Sequence, residues 1–139
     1  MLRSVLVPID DSQPSRAALE HALSSYPDAE ITALYVVDTT TPVGYGDLFT
    51  LAARTDRQSE RGEELFGDAE RLAEEHEADL TTVTEHGVPA RRIARFVDEE
   101  GIDHVVMGSH GRTGVNRLFL GSVAERVVRR TSVPVTVVP

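Results

Sequence analysis

The 139-residue chain has no cysteine and no lysine. The first absence excludes disulfides, thiolate metal sites and cysteine nucleophiles. The second means that any phosphate site must use backbone N–H groups, arginine, hydroxyls or a metal. Glycine is missing between Met1 and Val43. The turn after the first apolar run therefore holds neither a P-loop (GxxxxGK, then Ser or Thr) nor the GxGxxG of a dinucleotide fingerprint. No apolar stretch approaches the ~20 residues of a membrane span. The opening MLRSVLVPIDD has too short an apolar run for a signal peptide and meets an acidic pair at once. The chain reads as soluble and cytoplasmic.

What is there begins with charge. Fourteen basic residues, all arginine, stand against 23 acidic ones, for a net charge of −9. Such an excess raises solubility and disfavours nonspecific association with nucleic acid. Acidic excess without lysine fits a halophilic source, where salt screens the self-repulsion. It equally fits a GC-rich coding bias toward arginine codons, and composition does not choose between them. Length matches one domain of about 100–150 residues, here residues 1–139, large enough to build a core without staples.

Patterning alternates between strand and helix. Leu2–Pro8 is a short β-branched run, read as a buried strand. Asp10, Asp11 and Ser12 with Pro14 then supply helix-start chemistry, and Ala18, Leu19, Ala22, Leu23 and Tyr26 recur at helical spacing until Pro27 and Asp28. Ile31–Val37 is the second strand. Thr39–Thr55, rich in Thr, Gly and Pro, has no clear assignment. Leu65, Phe66, Ala69, Leu72, Ala73 and His76 mark one helix face. Leu80–Glu85 is a more polar strand, expected near a sheet edge. Gly87, Val88 and Pro89 lead into a helix with Ile93, Phe96 and Val97 inward, closed by Gly101. Asp103–Met107 is the fourth strand. Ser122 to Glu125 reads as a capping box opening a last helix, and Pro134–Val138 is the fifth strand. This β-α-β-α-β-α-β-α-β order predicts a parallel sheet covered by helices on both faces. Ligands in such sheets bind outside the carboxyl ends of the strands, where strand order reverses. Three segments lie there: Ile9 to Asp11, the start of the loop after Val37, and Gly108–Ser122.

The last of these, GSHGRTGVNRLFLGS, is the most informative stretch. Fourteen residues separate Met107 from Ser122, where a strand-to-helix connection usually takes about 2–6. Its apolar VNRLFL argues for a loop packed on the domain. Gly108 lets a ligand or a backbone come close. Gly121 and Ser122 lie at a helix N-terminus, which favours an anion, with Ser109, Arg112 and Ser122 as further donors. Composition and position alone leave two readings: a ligand loop, or an ordered loop beside a capped helix.

The spacing glycine, two residues, glycine, nine residues, glycine, serine (Gly108, Gly111, Gly121, Ser122) resembles the nucleotide motif of the universal stress protein family. The resemblance extends to VLVPIDDS, LYVVD, GVPARRIARFVDEEGIDHVVMG and VAERVVRRTSVPVTVVP, in the same order. It implies an adenine nucleotide alpha hydrolase-like fold with strand order 3-2-1-4-5, a bound ATP, ADP or AMP, and a homodimer. It would place Asp10 near the ribose hydroxyls, the backbone of Val36 at the adenine edge, and Pro8 and Ile9 along the base. Gly108, Gly111, Gly121 and Ser122 would approach the phosphates, with Met107, Ser109, Arg112 and Val123 beside them. A Mg2+ or Mn2+ ion would be held by phosphate oxygens, without a protein ligand.

Function is then read as a nucleotide-binding stress-response regulator or sensor. The alternatives are a slow ATPase on the same site and a dimeric interaction module without nucleotide. No catalytic residue is assigned, since Asp10 and Arg112 serve binding and His110 is read as facing solvent or capping the loop. The other histidines, His21, His76, His86 and His104, lack metal spacing. The ARRIAR and RVVRR clusters are read as helix-end charges paired with nearby acids, so neither nucleic acid nor membrane is expected as a partner. PVTVV, an edge strand with little charge, invites pairing with a second copy. Val135–Val138 is the expected dimer edge.

Overall fold

A computed structural model describes residues 3–40, 48–109 and 120–139, with side chains from residue 51 onward in the second helix. The chain runs β1 (Ser4–Pro8), α1 (Gln13–Ser25), β2 (Glu30–Asp38), α2 (Leu48–Glu75), β3 (Leu80–Gly87), α3 (Pro89–Glu100), β4 (His104–Gly108), α4 (Ser122–Arg130) and β5 (Val135–Val138). All strand pairings are parallel, in the order β3-β2-β1-β4-β5. The polar strand β3 lies at one edge and β5 at the other, as expected. No helix among the described residues is long and apolar enough to cross a membrane.

The two faces of the sheet build two apolar layers. Val5, Val7, Ile31 and Val106 pack against Leu19 and Leu23 of α1 and Ala69 and Leu72 of α2. Leu6, Leu34, Val105 and Met107 pack against Ile93 and Phe96 of α3 and Val127 of α4. Neighbouring residues of one strand thus serve opposite layers, as the two-residue period of a strand requires. Burial on both sides explains why β1 and β4 read as unbroken apolar runs.

Helix ends follow local chemistry. The Ser12 hydroxyl accepts the Ser15 N–H at 3.2 Å and caps α1, an interaction worth ~1 kcal/mol. Pro14 lies in the first turn, where its missing N–H costs nothing. Gly101 closes α3 at φ 63°, a left-handed conformation that favours glycine.

Three expectations need correction. Leu48–Thr55, within the unassigned segment, forms the first two turns of a 28-residue α2. That helix ends at Glu75, so His76 lies just past it, its N–H bonded to the Leu72 and Ala73 carbonyls. Helix α4 is capped by Gly121 rather than Ser122, with no side-chain cap hydrogen bond. The Gly121 N–H is held by the Ser109 carbonyl at 2.6 Å, which fixes the chain's entry one residue early. Glu125 pairs with Arg129 at 2.9 Å instead of reaching back as a capping box would. Smaller shifts are extensions: β2 and β3 run on together to the Asp38–Gly87 pair.

Candidate functional site

Strands β1 and β4 are adjacent, and the chain proceeds from them to opposite edges, so their carboxyl ends form the switch point of the sheet. The segment after β1 is tightly organised there. The Ile9 N–H donates to the Leu34 carbonyl at 2.8 Å, extending the β1–β2 ladder one step past Pro8. The Asp10 N–H donates to the Ser15 hydroxyl at 2.8 Å, and the Asp10 carboxylate accepts the Ser12 N–H at 2.8 Å. That turn holds Asp10 at the rim with its carboxylate exposed to solvent on one side.

Across from it, β4 ends at Gly108. A Cβ there would stand 2.7 Å from the Pro14 carbonyl carbon and 2.8 Å from the Ser15 nitrogen. Of the two reasons considered for this glycine, close approach of a backbone is realised: the first turn of α1 rests on it. Ser109 is buried, donates its N–H to the Val138 carbonyl at 2.8 Å, and accepts the Gly121 N–H at 2.6 Å. The entry to α4 is thereby pinned over the end of β4, with Ser122 and Val123 exposed beside it.

The structure thus brings Pro8, Asp10, Gly108, Ser109, Gly121 and Ser122 to one rim. Met107 is buried in the α3/α4 layer below, and Val36 packs partly against that layer from β2. Ile9 packs against the opposite α1/α2 layer, so Val36 and Ile9 lie on different faces of the sheet. Gly111, Arg112 and His110 fall outside the described residues.

One part of the rim had no counterpart in the sequence reading. Arg54, Arg57 and Arg61, three and four residues apart on α2, line a cavity of about 460 Å3 with Asp10, Asp11 and Tyr35. Arg61 bonds Glu64 at 3.1 Å and Asp11 at 3.3 Å. These partners, Glu64 first, raise the guanidinium pKa above its ordinary value. Gln58 joins α2 to the end of β2: its amide accepts the Asp38 N–H at 2.9 Å and donates to the Asp38 carbonyl at 3.2 Å. The arginine spacing was visible in the sequence, but it points nowhere until Leu48–Thr55 is known to be helix.

The basic clusters divide. Arg95 pairs with Glu99 at 2.7 Å and Arg129 with Glu125 at 2.9 Å, as expected of helix-end charges. Arg91 and Arg92 face a smaller cavity with Gly87 and have no ion-pair partner among the described residues.

A doubly wound parallel α/β domain with its glycine-bearing rim at the β1–β4 switch point is the class that fold and site define. The sequence model of the Universal stress protein family matches residues 1–139, and the chain belongs to that family. A universal stress protein of Methanocaldococcus jannaschii is 36% identical over 140 residues, covering 99% of this chain and 82% of the relative. One from Methanothermobacter thermautotrophicus is 32% identical, covering 92% and 89%. Among solved structures, the universal stress protein UspA from Lactobacillus plantarum superposes with a TM-score of 0.91 at 25% identity, covering 99% and 98%.

Proposed function

We propose that the rim between β1 and β4 binds an adenine nucleotide, ATP or its di- or monophosphate relatives, and that the protein is a nucleotide-responsive regulator of the stress response. The observation that carries this reading is the entry to α4. Its first turn has no side-chain cap, and its start is fixed over β4 by the Gly121–Ser109 bond. Free N–H groups and the helix dipole there suit a phosphate. Asp10, held at the same rim with an exposed carboxylate, suits the ribose hydroxyls as an acceptor pair. Two more distant members of the fold support the ligand class. One is a universal stress protein in complex with cAMP at 20% identity and TM-score 0.74. The other is an Arabidopsis thaliana protein with AMP bound, at 15% identity and TM-score 0.64. A Mg2+ or Mn2+ ion would ride on the phosphates.

Titration calorimetry with ATP, ADP, AMP and cAMP tests the assignment. Binding of at least one is expected, and Gly121→Val should abolish it by placing a branched side chain at the phosphate position. Undiminished affinity in that variant overturns the phosphate assignment.

Assembly belongs to the same reading. Strand β5 is an edge with four half-buried apolar or hydroxyl residues, and its free side offers backbone groups to a second copy. A homodimer through Val135–Val138 should appear in light scattering, and Val137→Lys should return it to monomer. A monomer at every concentration refutes that part.

A further inference from the structure

On the α1/α2 face, the 460 Å3 cavity adjoins a second one of about 210 Å3, the two sharing Asp10, Asp11, Arg61 and Leu65. The smaller chamber has an apolar floor made by Leu19, Leu65, Ala69 and Leu72, with Ile9 closing one wall. Its volume exceeds the ~150 Å3 of an apolar cavity that accepts benzene. The Arg61–Asp11 pair stands where the chambers meet.

Charge around the combined groove is balanced where the protein as a whole is acidic. Four guanidiniums, those of Arg16, Arg54, Arg57 and Arg61, face the carboxylates of Asp10, Asp11 and Asp68, with Glu64 bonded to Arg61 from outside the groove, although the whole chain carries −9. Asp11 is paired with Arg61 and Asp68 with Arg71, and one oxygen of Asp10 accepts the Ser12 N–H. Arg57 donates its Nε to the Ala53 carbonyl at 3.3 Å, and its terminal nitrogens have no partner among the described residues. Arg57 is thus a cation with no ion-pair partner among the described residues, beside an apolar chamber open to solvent. A phosphate would use the arginines and ignore the chamber, while a neutral hydrocarbon would do the reverse.

We propose that this groove is a binding site for a small amphipathic carboxylate, a medium-chain alkanoate. Its hydrocarbon chain lies over Leu19, Leu65 and Leu72, and its carboxylate is met by Arg57 and Arg61. The site shares Ile9 and Asp10 with the rim assigned to nucleotide, but its ligand contacts, Arg57, Arg61 and the three leucines, are not among the nucleotide residues, so it stands whether or not that reading holds.

Calorimetry with butanoate, hexanoate and octanoate tests it on the intact protein. Each added methylene should tighten binding about fourfold until the chamber is filled, the free energy of ~0.8 kcal/mol per buried CH2 expressed as a ratio. Hexan-1-ol, with the chain but no charge, should bind at least tenfold more weakly than hexanoate. Arg57→Gln, a surface change that leaves the core untouched, should weaken octanoate at least fivefold. Ala69→Leu should flatten the chain-length dependence by filling the chamber. The Gly121→Val variant should bind octanoate as the parent does, which separates this site from the nucleotide rim. No binding at millimolar octanoate overturns the proposal, as does affinity that ignores chain length or is unchanged by Arg57→Gln.

Discussion

Replacing Gly108 by alanine puts a methyl group 2.7 Å from the Pro14 carbonyl carbon and 2.8 Å from both the Pro14 Cβ and the Ser15 nitrogen. Two of those three atoms are backbone and the third belongs to a proline ring, so none can swing aside as a flexible side chain would. Either α1 lifts from β4 or the end of β4 bends, and both disturb the Ser12 cap and the Asp10–Ser15 bond. Overpacking costs ~1–3 kcal/mol where side chains can adjust, so about 3 kcal/mol is expected here. With an unfolding entropy of ~2.1 cal/mol/K per residue over 139 residues, each kcal/mol moves Tm by about 3 °C. Gly108→Ala should therefore melt about 10 °C low. Two other glycines calibrate the scale. Gly101→Ala meets nothing within 4 Å but keeps φ at +63°, so backbone strain alone of ~1 kcal/mol should lower Tm by about 3 °C. Gly67→Ala, in α2 with only the end of Arg71 at 4.0 Å, should gain ~0.5–1 kcal/mol from helix propensity and melt higher. Thermal and urea unfolding of the nucleotide-free protein, followed by circular dichroism, gives the ranking. A Gly108→Ala variant as stable as Gly101→Ala would refute the steric reading and return that glycine to the ligand.

Gln58→Ala should destabilise the protein by ~1–2 kcal/mol, because it strands both the N–H and the carbonyl of part-buried Asp38; a urea midpoint unchanged from the parent would show that water replaces the amide. His104 is buried with its Nε2 2.7 Å from the Thr136 hydroxyl, and its pKa is lowered, by burial first and by His21 second. The unfolded chain thus takes up a proton at higher pH than the native one does. Stability from this group is present above pH ~6.5 and declines as pH falls toward the lower native pKa. The loss of stability between pH 7 and pH 5 should be shallower in His104→Gln than in the parent; equal slopes would remove His104 as the cause.

Much of the fold was legible because the central strands are buried on both faces. Val5 to Val7 and Val105 to Met107 could hardly be anything else once turn chemistry bounded them. The rim was legible for a different reason, since strand alternation alone sends Asp10 and Gly108 to the same end of the sheet. The start of α2 was not, because Thr50, Thr55 and the Gly and Pro residues before them are weak helix formers. With it went the Arg54, Arg57 and Arg61 face. The cap at α4 was misread because Ser122 and Glu125 match a local pattern, while the choice of Gly121 depends on a bond to Ser109 that no local pattern contains. The packing role of Gly108 is likewise tertiary: only the approach of α1 reveals the backbone that meets it.

Ser109 holds Val138 with its N–H and Gly121 with its carbonyl. One residue therefore belongs both to the edge proposed to meet a second copy and to the helix entry proposed to meet phosphate. Thermodynamic linkage makes any coupling through it symmetric: the factor by which nucleotide changes the dimer dissociation constant is the factor by which dimerisation changes nucleotide affinity. The abundance of the protein would then set its own sensitivity. As copies accumulate and pair, the nucleotide level at which half the sites fill would shift without any change in the site itself.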